Sequence, residues 1–220
     1  MKINDLQVYI FKKISFLYNF IFGRKTTQKL NNIIFSLSLR AKGYNNYGSF
    51  KVTGEKNFIQ SISRELQFSL DIGANIGNYS KLLIEETNSY IFAFEPLDGA
   101  YDNLNKLVIE HPNRIEAFKL ALGDKNVEKN INFTDEKSEK ATFLDDISKL
   151  SFYEAASNKK KLVNLVTLDE FMEQKNLFDK EIDLIKIDTE GYELEILKGS
   201  KRLIEKNKPK YIQLEFNIHQ

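Results

Sequence analysis

Four carboxylates stand where apolar runs give way to polar turns. Asp71 sits near the end of Phe68-Ser-Leu-Asp-Ile72 and is followed by Gly73-Ala-Asn75-Ile-Gly77. Glycines at these positions permit backbone angles and close approaches that a Cβ would block, and asparagine tolerates the left-handed conformation better than most residues. Glu95 closes Ile91-Phe-Ala-Phe, at the end of the next apolar run after the glycine turn. A carboxylate placed there can accept hydrogen bonds from both vicinal hydroxyls of a ribose. Alternatively, with Pro96 and Asp98, it marks a helix start. Asp124 follows Leu120-Ala-Leu-Gly and either accepts from an exocyclic amine or makes a turn before Lys125-Asn126. Asp188 follows Ile185-Lys-Ile and leads into Thr189-Glu190-Gly-Tyr-Glu193-Leu-Glu195. Asp188 and Glu190 are candidates for work beside a reacting group, or for capping a helix that Glu193 and Glu195 also complement.

The carboxyl-terminal run Ile212-Gln-Leu-Glu215-Phe-Asn217-Ile-His219 adds two further possibilities. His219 has the pKa of a general base, or is an exposed terminal bystander. Asp188, Glu215 and Asn217 together would make an all-oxygen site for a divalent metal, although nothing in the sequence requires one.

The glycine turn narrows the choice of cofactor. A dinucleotide fingerprint requires Gly-x-Gly-x-x-Gly, and here its positions are Gly73, Asn75 and Asn78. A phosphate loop would need Gly-Lys-Ser/Thr, which is absent. An acid ahead of the turn repels pyrophosphate and suits a cation. S-adenosylmethionine carries a sulfonium and an amino group and no phosphate. An ordinary strand-turn-helix connection is the alternative.

Elements that would position these residues follow from periodicity. Short apolar runs at Phe68–Ile72, Tyr90–Phe94, Ile115–Ala121, Leu162–Val166, Leu184–Ile187 and Tyr211–Phe216 read as strands. Stretches at 78–86, 99–110, 168–175 and 192–205 read as helices. Their alternation predicts a parallel sheet with helices on both faces, and every candidate acid then lies at the carboxyl edge of that sheet. A polar insertion between Asp124 and Lys161 interrupts the pattern, with an extra strand at Asn130–Phe133. Residues 1–65 form a separate, mainly helical extension, and 66–220 the main domain. The extension carries Val8, Phe11, Ile14, Phe16, Leu17, Phe20 and Ile21 at helical spacing, a second apolar stretch from Leu30 to Leu39, and a turn-rich segment with a short strand at 42–54. Covering a sheet face is its expected role. Packing a partner subunit, or touching a membrane through Lys12, Lys13, Arg24 and Lys25, are the alternatives.

Composition excludes several classes. The 220 residues contain no cysteine and two histidines, so disulfides, thiolate metal sites and cysteine nucleophiles are absent. The 32 basic and 31 acidic side chains nearly cancel, and only five of the basic residues are arginine. This balance offers no footprint for nucleic acid. No stretch reaches the length of a membrane span, and no leader signature begins the chain, so a cytoplasmic location is expected.

Taken together, Asp71-Ile-Gly-Ala-Asn-Ile-Gly-Asn-Tyr-Ser80, Ala93-Phe-Glu-Pro96, Ala121-Leu-Gly-Asp124, Val166-Thr-Leu-Asp169 and Lys186-Ile-Asp-Thr-Glu-Gly-Tyr-Glu-Leu-Glu-Ile-Leu-Lys-Gly199 resemble the FkbM family of S-adenosylmethionine-dependent methyltransferases. The segments keep family order over about two thirds of the chain. The resemblance implies a class I methyltransferase fold, an α/β Rossmann-like sheet. It implies methyl transfer to a hydroxyl on a sugar, glycan or natural product. It places Asp71, Gly73, Asn75 and Gly77 at the amino-acid end of the cofactor, Glu95 on the ribose and Asp124 near the adenine. Such sheets end in an antiparallel hairpin that this sequence lacks after its fifth core strand, and a truncated chain is expected. A non-catalytic binding protein of the same fold and a nicotinamide-dependent oxidoreductase are the competing readings.

Overall fold

The computed structural model describes residues 3–41, 54–133, 141–143 and 159–215. Asn217, His219 and the turn-rich segment at 42–53 lie outside them. Met1–Phe58 form one compact unit and Ile59–Gln220 another.

In the first unit, α1 (Ile3–Phe22) and α2 (Gln28–Ala41) meet at a short turn. The Thr27 hydroxyl and the Asn31 side-chain amide both donate to the Phe22 carbonyl, and the Tyr18 hydroxyl donates to Asn31 Oδ1 at 2.7 Å. These bonds satisfy the carbonyl left over at the end of α1 and fix the corner. Helix α3 (Glu55–Ile62) runs across the boundary at Phe58, and its buried residues Ile59 and Ile62 belong to the second unit.

The second unit runs β1 (Phe68–Ile72), α4 (Asn78–Glu86), β2 (Tyr90–Phe94), α5 (Asp98–Glu110), β3 (Ile115–Phe118), β4 (Ala121–Leu122), β5 (Val127–Phe133), β6 (Lys159–Val166), α6 (Leu168–Gln174), β7 (Leu184–Ile187), α7 (Glu193–Gly199), α8 (Lys201–Asn207) and β8 (Tyr211–Leu214). Five strands form a wholly parallel sheet in the order β3-β2-β1-β7-β8. The sheet is flanked by helices, the arrangement of a Rossmann-like α/β fold. The chain starts at the centre with β1, moves outward to β3, then returns to place β7 against the free side of β1. That reversal opens a crevice at the carboxyl ends of β1 and β7, where ligands bind in such sheets.

Continuous apolar strands are what a sheet covered on both faces requires. All five residues of β1 and all four of β7 are buried. Around Phe92, the rings of Phe68, Tyr90, Phe118 and Phe171 meet edge-on at 4.9–6.2 Å, a favoured aromatic geometry.

Three expectations need correction. The run 115–121 is two strands, because the Leu120 amide turns back to the Phe118 carbonyl. Ala121–Leu122 then pairs with Leu165–Val166 in a separate three-stranded sheet, β4-β6-β5. Leu162–Val166 therefore belongs to that small sheet. It is the end of a longer strand whose alternate residues Val163 and Leu165 are buried as it pairs antiparallel with β5. The helix expected at 192–205 is two helices, α7 and α8. Ser200 lies between them and bonds the Ile196 carbonyl, while Asp169 accepts from the Arg202 and Leu203 amides at the start of α8.

Candidate functional site

The turn after β1 is built from three left-handed residues, Gly73 (φ 81°), Asn75 (φ 49°) and Gly77 (φ 90°). Gly73 is obligatory for a second reason. A Cβ there would lie 1.9 Å from the Asp188 carbonyl oxygen. The turn after β1 thus presses directly on the backbone at the end of β7, and the Asp188 amide donates to the Ile72 carbonyl at 3.0 Å.

Four of the five amides of this turn are committed internally. Those of Gly73 and Ala74 both donate to the Phe94 carbonyl, that of Gly77 to Ala74, and that of Asn75 to Glu95 Oε2 at 3.0 Å. The second oxygen of Glu95 accepts from the Leu97 amide at 2.8 Å. Glu95 therefore joins the β1 turn to the start of α5. It keeps further lone pairs for a ligand, since a carboxylate accepts about four hydrogen bonds. Burial pushes its pKa up to about 7 against the pull of those two amides.

A polar row crosses the sheet beneath α4. The register places Asp71, Lys186 and Gln213 side by side on β1, β7 and β8. Asp71 is fully buried and accepts from the Ser80 hydroxyl at 2.6 Å. Burial raises its pKa to about 6, opposed by Ser80 and by the Lys186 charge. Tyr79 donates to Gln213 at 2.6 Å, and its ring lies 5.4 Å from the Lys186 ammonium. Lys186 is 3% exposed and pairs with Asp188 at 2.7 Å. Burial alone would raise the Asp188 carboxyl. A hydrogen bond with Glu215 and the Lys186 charge outweigh it and hold that carboxyl below the usual range. Glu215 is pushed up by the same hydrogen bond, by burial and by the neighbouring negative charges, so it carries the proton of the pair.

Asp71, Gly73, Asn75, Gly77, Glu95 and Asp188 thus converge on one crevice. Glu190 stands on the turn after Asp188 in the left-handed region (φ 51°), and its carbonyl accepts from the Thr142 hydroxyl at 2.7 Å. Phe143 packs on Tyr192 at 4.8 Å, and Lys129 of β5 lies over the same tyrosine ring. The small sheet therefore rests on the turn that carries Glu190. Glu193 is structural, accepting from the amides of Thr189 and Gly191. Asp124 is exposed, next to Gly123, whose carbonyl oxygen would be 1.9 Å from a Cβ on Gly199. Among the described residues no group of three or more histidine or acidic side chains could hold a metal.

Sequence reasoning passed over Lys186, Ser80, Tyr79 and Gln213. A lysine inside Leu-Ile-Lys-Ile and a glutamine inside Tyr-Ile-Gln-Leu break otherwise apolar strands. Buried charges are rare unless paired, so Lys186 was the available signal.

Topology and site define a Rossmann-like α/β protein whose acid-lined crevice lies at its switch point. A family profile described as Methyltransferase FkbM domain matches residues 71–219. The chain belongs to that family and carries a methyltransferase domain. No curated protein matches its sequence. A solved structure assigned as an rRNA methylase from Clostridium thermocellum is similar at 19% identity and a TM-score of 0.29, covering 34% of this chain. The chain spans 42% of the length of that structure.

Proposed function

We propose that this chain transfers a methyl group from S-adenosylmethionine to a hydroxyl of a sugar, glycan or natural product. The commitment of the β1-turn amides carries the choice of cofactor. Four of its five amides are already paired within the protein, so the turn offers no cradle for pyrophosphate. The acids around it suit a ligand with cationic groups instead. This counts against a nicotinamide dinucleotide.

When bound, S-adenosylmethionine supplies an electrophilic methyl group on a sulfonium. In this reading the open lone pairs of Glu95 take the ribose hydroxyls, and exposed Asp124 takes the adenine amine. Asp71, closed in by Ser80, acts through its field beneath the turn. Asp188 faces the acceptor. Because Lys186 and Glu215 hold it ionised, it is a weak base. It would orient the acceptor hydroxyl and take up its proton as the methyl group is transferred. Glu190 and the small sheet resting on its turn shape the acceptor side. His219 is a second candidate for the proton.

Calorimetric titration with S-adenosylmethionine, with NAD as control, tests the cofactor. Saturable binding that weakens at least about tenfold in Glu95→Gln is expected, given ~1.5–3 kcal/mol for hydrogen bonds to a charged group. Binding of NAD instead, or no binding by the folded chain, overturns the reading.

A further inference from the structure

The first unit differs from the rest of the chain in charge and in surface. Residues 1–41 carry seven basic side chains and one acidic one, leaving a net charge of −5 on residues 42–220 of a chain whose total is +1. Helix α1 also leaves its apolar side chains in solvent: Phe11 is 71% exposed, Phe16 76% and Phe20 67%, with Ile14, Leu17 and Ile21 also exposed. At 100° per residue these positions, with Tyr9 and Tyr18, span more than half the circumference of α1, interrupted by Lys13, and leave Lys12, Ser15 and Asn19, with Val8, on the remaining strip. On α2, Leu30, Ile33, Ile34 and Leu37 make a second exposed apolar face. Arg24, Lys25 and Lys29 cluster at the corner that joins the helices.

From this arrangement we propose that α1 and α2 lie in the surface of an anionic lipid bilayer. Their aromatic and aliphatic faces sink below the headgroups, and Lys12, Lys13, Arg24, Lys25 and Lys29 pair with lipid phosphates and carboxylates. Three observations select this occupant. The apolar arc of α1 is far wider than the stripe that two packed helices share. A second copy would bring one strongly basic surface against another. No helix among the described residues is long and apolar enough to cross a membrane, which fits helices that lie on it. Interfacial helices of this kind combine a broad aromatic and aliphatic face with flanking basic residues.

The test is sedimentation of the full chain with vesicles of phosphatidylcholine alone and of phosphatidylcholine with phosphatidylserine. The expected result is binding to the phosphatidylserine vesicles that falls as salt rises. It should be weaker by roughly thirtyfold in the double variant Lys12→Gln, Lys13→Gln, from the usual contribution of each basic residue at such a surface. The double variant Phe16→Ser, Phe20→Ser should lose binding while the thermal unfolding of the α/β unit is unchanged. Three results overturn the proposal. One is no sedimentation with either vesicle. A second is equal binding to both compositions. The third is a dimer in analytical ultracentrifugation that Phe16→Ser, Phe20→Ser dissociates, which would assign the face to a second copy.

Discussion

Gly73→Ala is the sharpest perturbation of the crevice. The new Cβ would meet the Asp188 carbonyl oxygen at 1.9 Å, and real Cβ atoms essentially never approach closer than 3.0 Å. The ends of β1 and β7 must therefore separate by about 1.1 Å, measured against ordinary contact distances. The atom met is backbone, so no side chain can rotate away. A retreat of that size breaks the 3.0 Å bond from the Asp188 amide to the Ile72 carbonyl. The left-handed conformation adds ~1–2 kcal/mol for a residue with a Cβ. The displaced contact adds ~1–3 kcal/mol. The sum, about 2–5 kcal/mol, is a large share of the ~5–15 kcal/mol that holds a domain together. Gly77→Ala is the matched control. Its φ of 90° carries the same conformational penalty, but its new Cβ would meet the ends of the Leu104 and Leu107 side chains, at 3.0 and 3.4 Å, with backbone no nearer than 3.7 Å. Urea unfolding followed by circular dichroism measures both. Gly73→Ala should be less stable than Gly77→Ala by about 1–3 kcal/mol. Equal losses would refute the claim that the two loops are locked by backbone contact.

Other perturbations act on the charges. Glu95 ionises near 4.5 when unfolded and near 7 when folded, so between those values the folded chain binds more protons and loses stability as pH rises. Wild type measured against Glu95→Gln should therefore lose ~3 kcal/mol between pH 4.5 and 7.5, most of it below pH 7; a difference that does not vary with pH contradicts the assignment. For the same reason, S-adenosylmethionine binding near neutral pH should release protons, seen as a calorimetric enthalpy that depends on the buffer. Lys186→Met leaves Asp188 and Asp71 uncompensated and should cost about 3 kcal/mol, the low end for a broken buried pair because Asp188 remains partly open to water; thermal unfolding checks it. Asp188→Asn should lower turnover by ~10²–10⁴-fold with cofactor affinity nearly unchanged, and undiminished turnover in a radiolabelled methyl assay would remove Asp188 from the chemistry.

Much of the site was legible because its signals are local. The spacing of Gly73, Asn75 and Gly77 follows from backbone angles that few other residues adopt, and the Asn78–Glu86 helix begins as the turn predicts. Strands buried on both faces are short and mainly apolar, with Ser69, Asp71 and Lys186 as the exceptions, so β1, β2 and β7 could be bounded from composition alone. What escaped depends on partners distant in sequence. The break after Phe118 is a turn between two apolar stretches, and the run Ile115–Ala121 hides it. Leu162–Val166 reads like any core strand, and β5, within the polar insertion, and β4, just before it, draw it into the small sheet. The split at Ser200 arises where Gly199 closes on Gly123, a residue that precedes β5, β6, α6 and β7 in the chain. The proton shared by Asp188 and Glu215 likewise depends on β7 and β8 lying side by side.

The strand order also bears on how the chain is made. β1 lies at the centre of the sheet, yet its neighbour β7 begins only at Leu184, after five other strands have been synthesised. Ribosomes release the chain from its amino end, so β1, β2 and β3 emerge together while one edge of β1 is still bare. That edge, Phe68-Ser-Leu-Asp-Ile72, carries unpaired backbone groups between apolar side chains, the kind of surface that recruits stray strands. Synthesis of the polar insertion and of α6 must pass before Leu184–Ile187 can cover it. Slow folding is the expected cost of such non-local pairing. The interval in which the growing chain is open to chaperones, or to aggregation, is set by the length of the insertion.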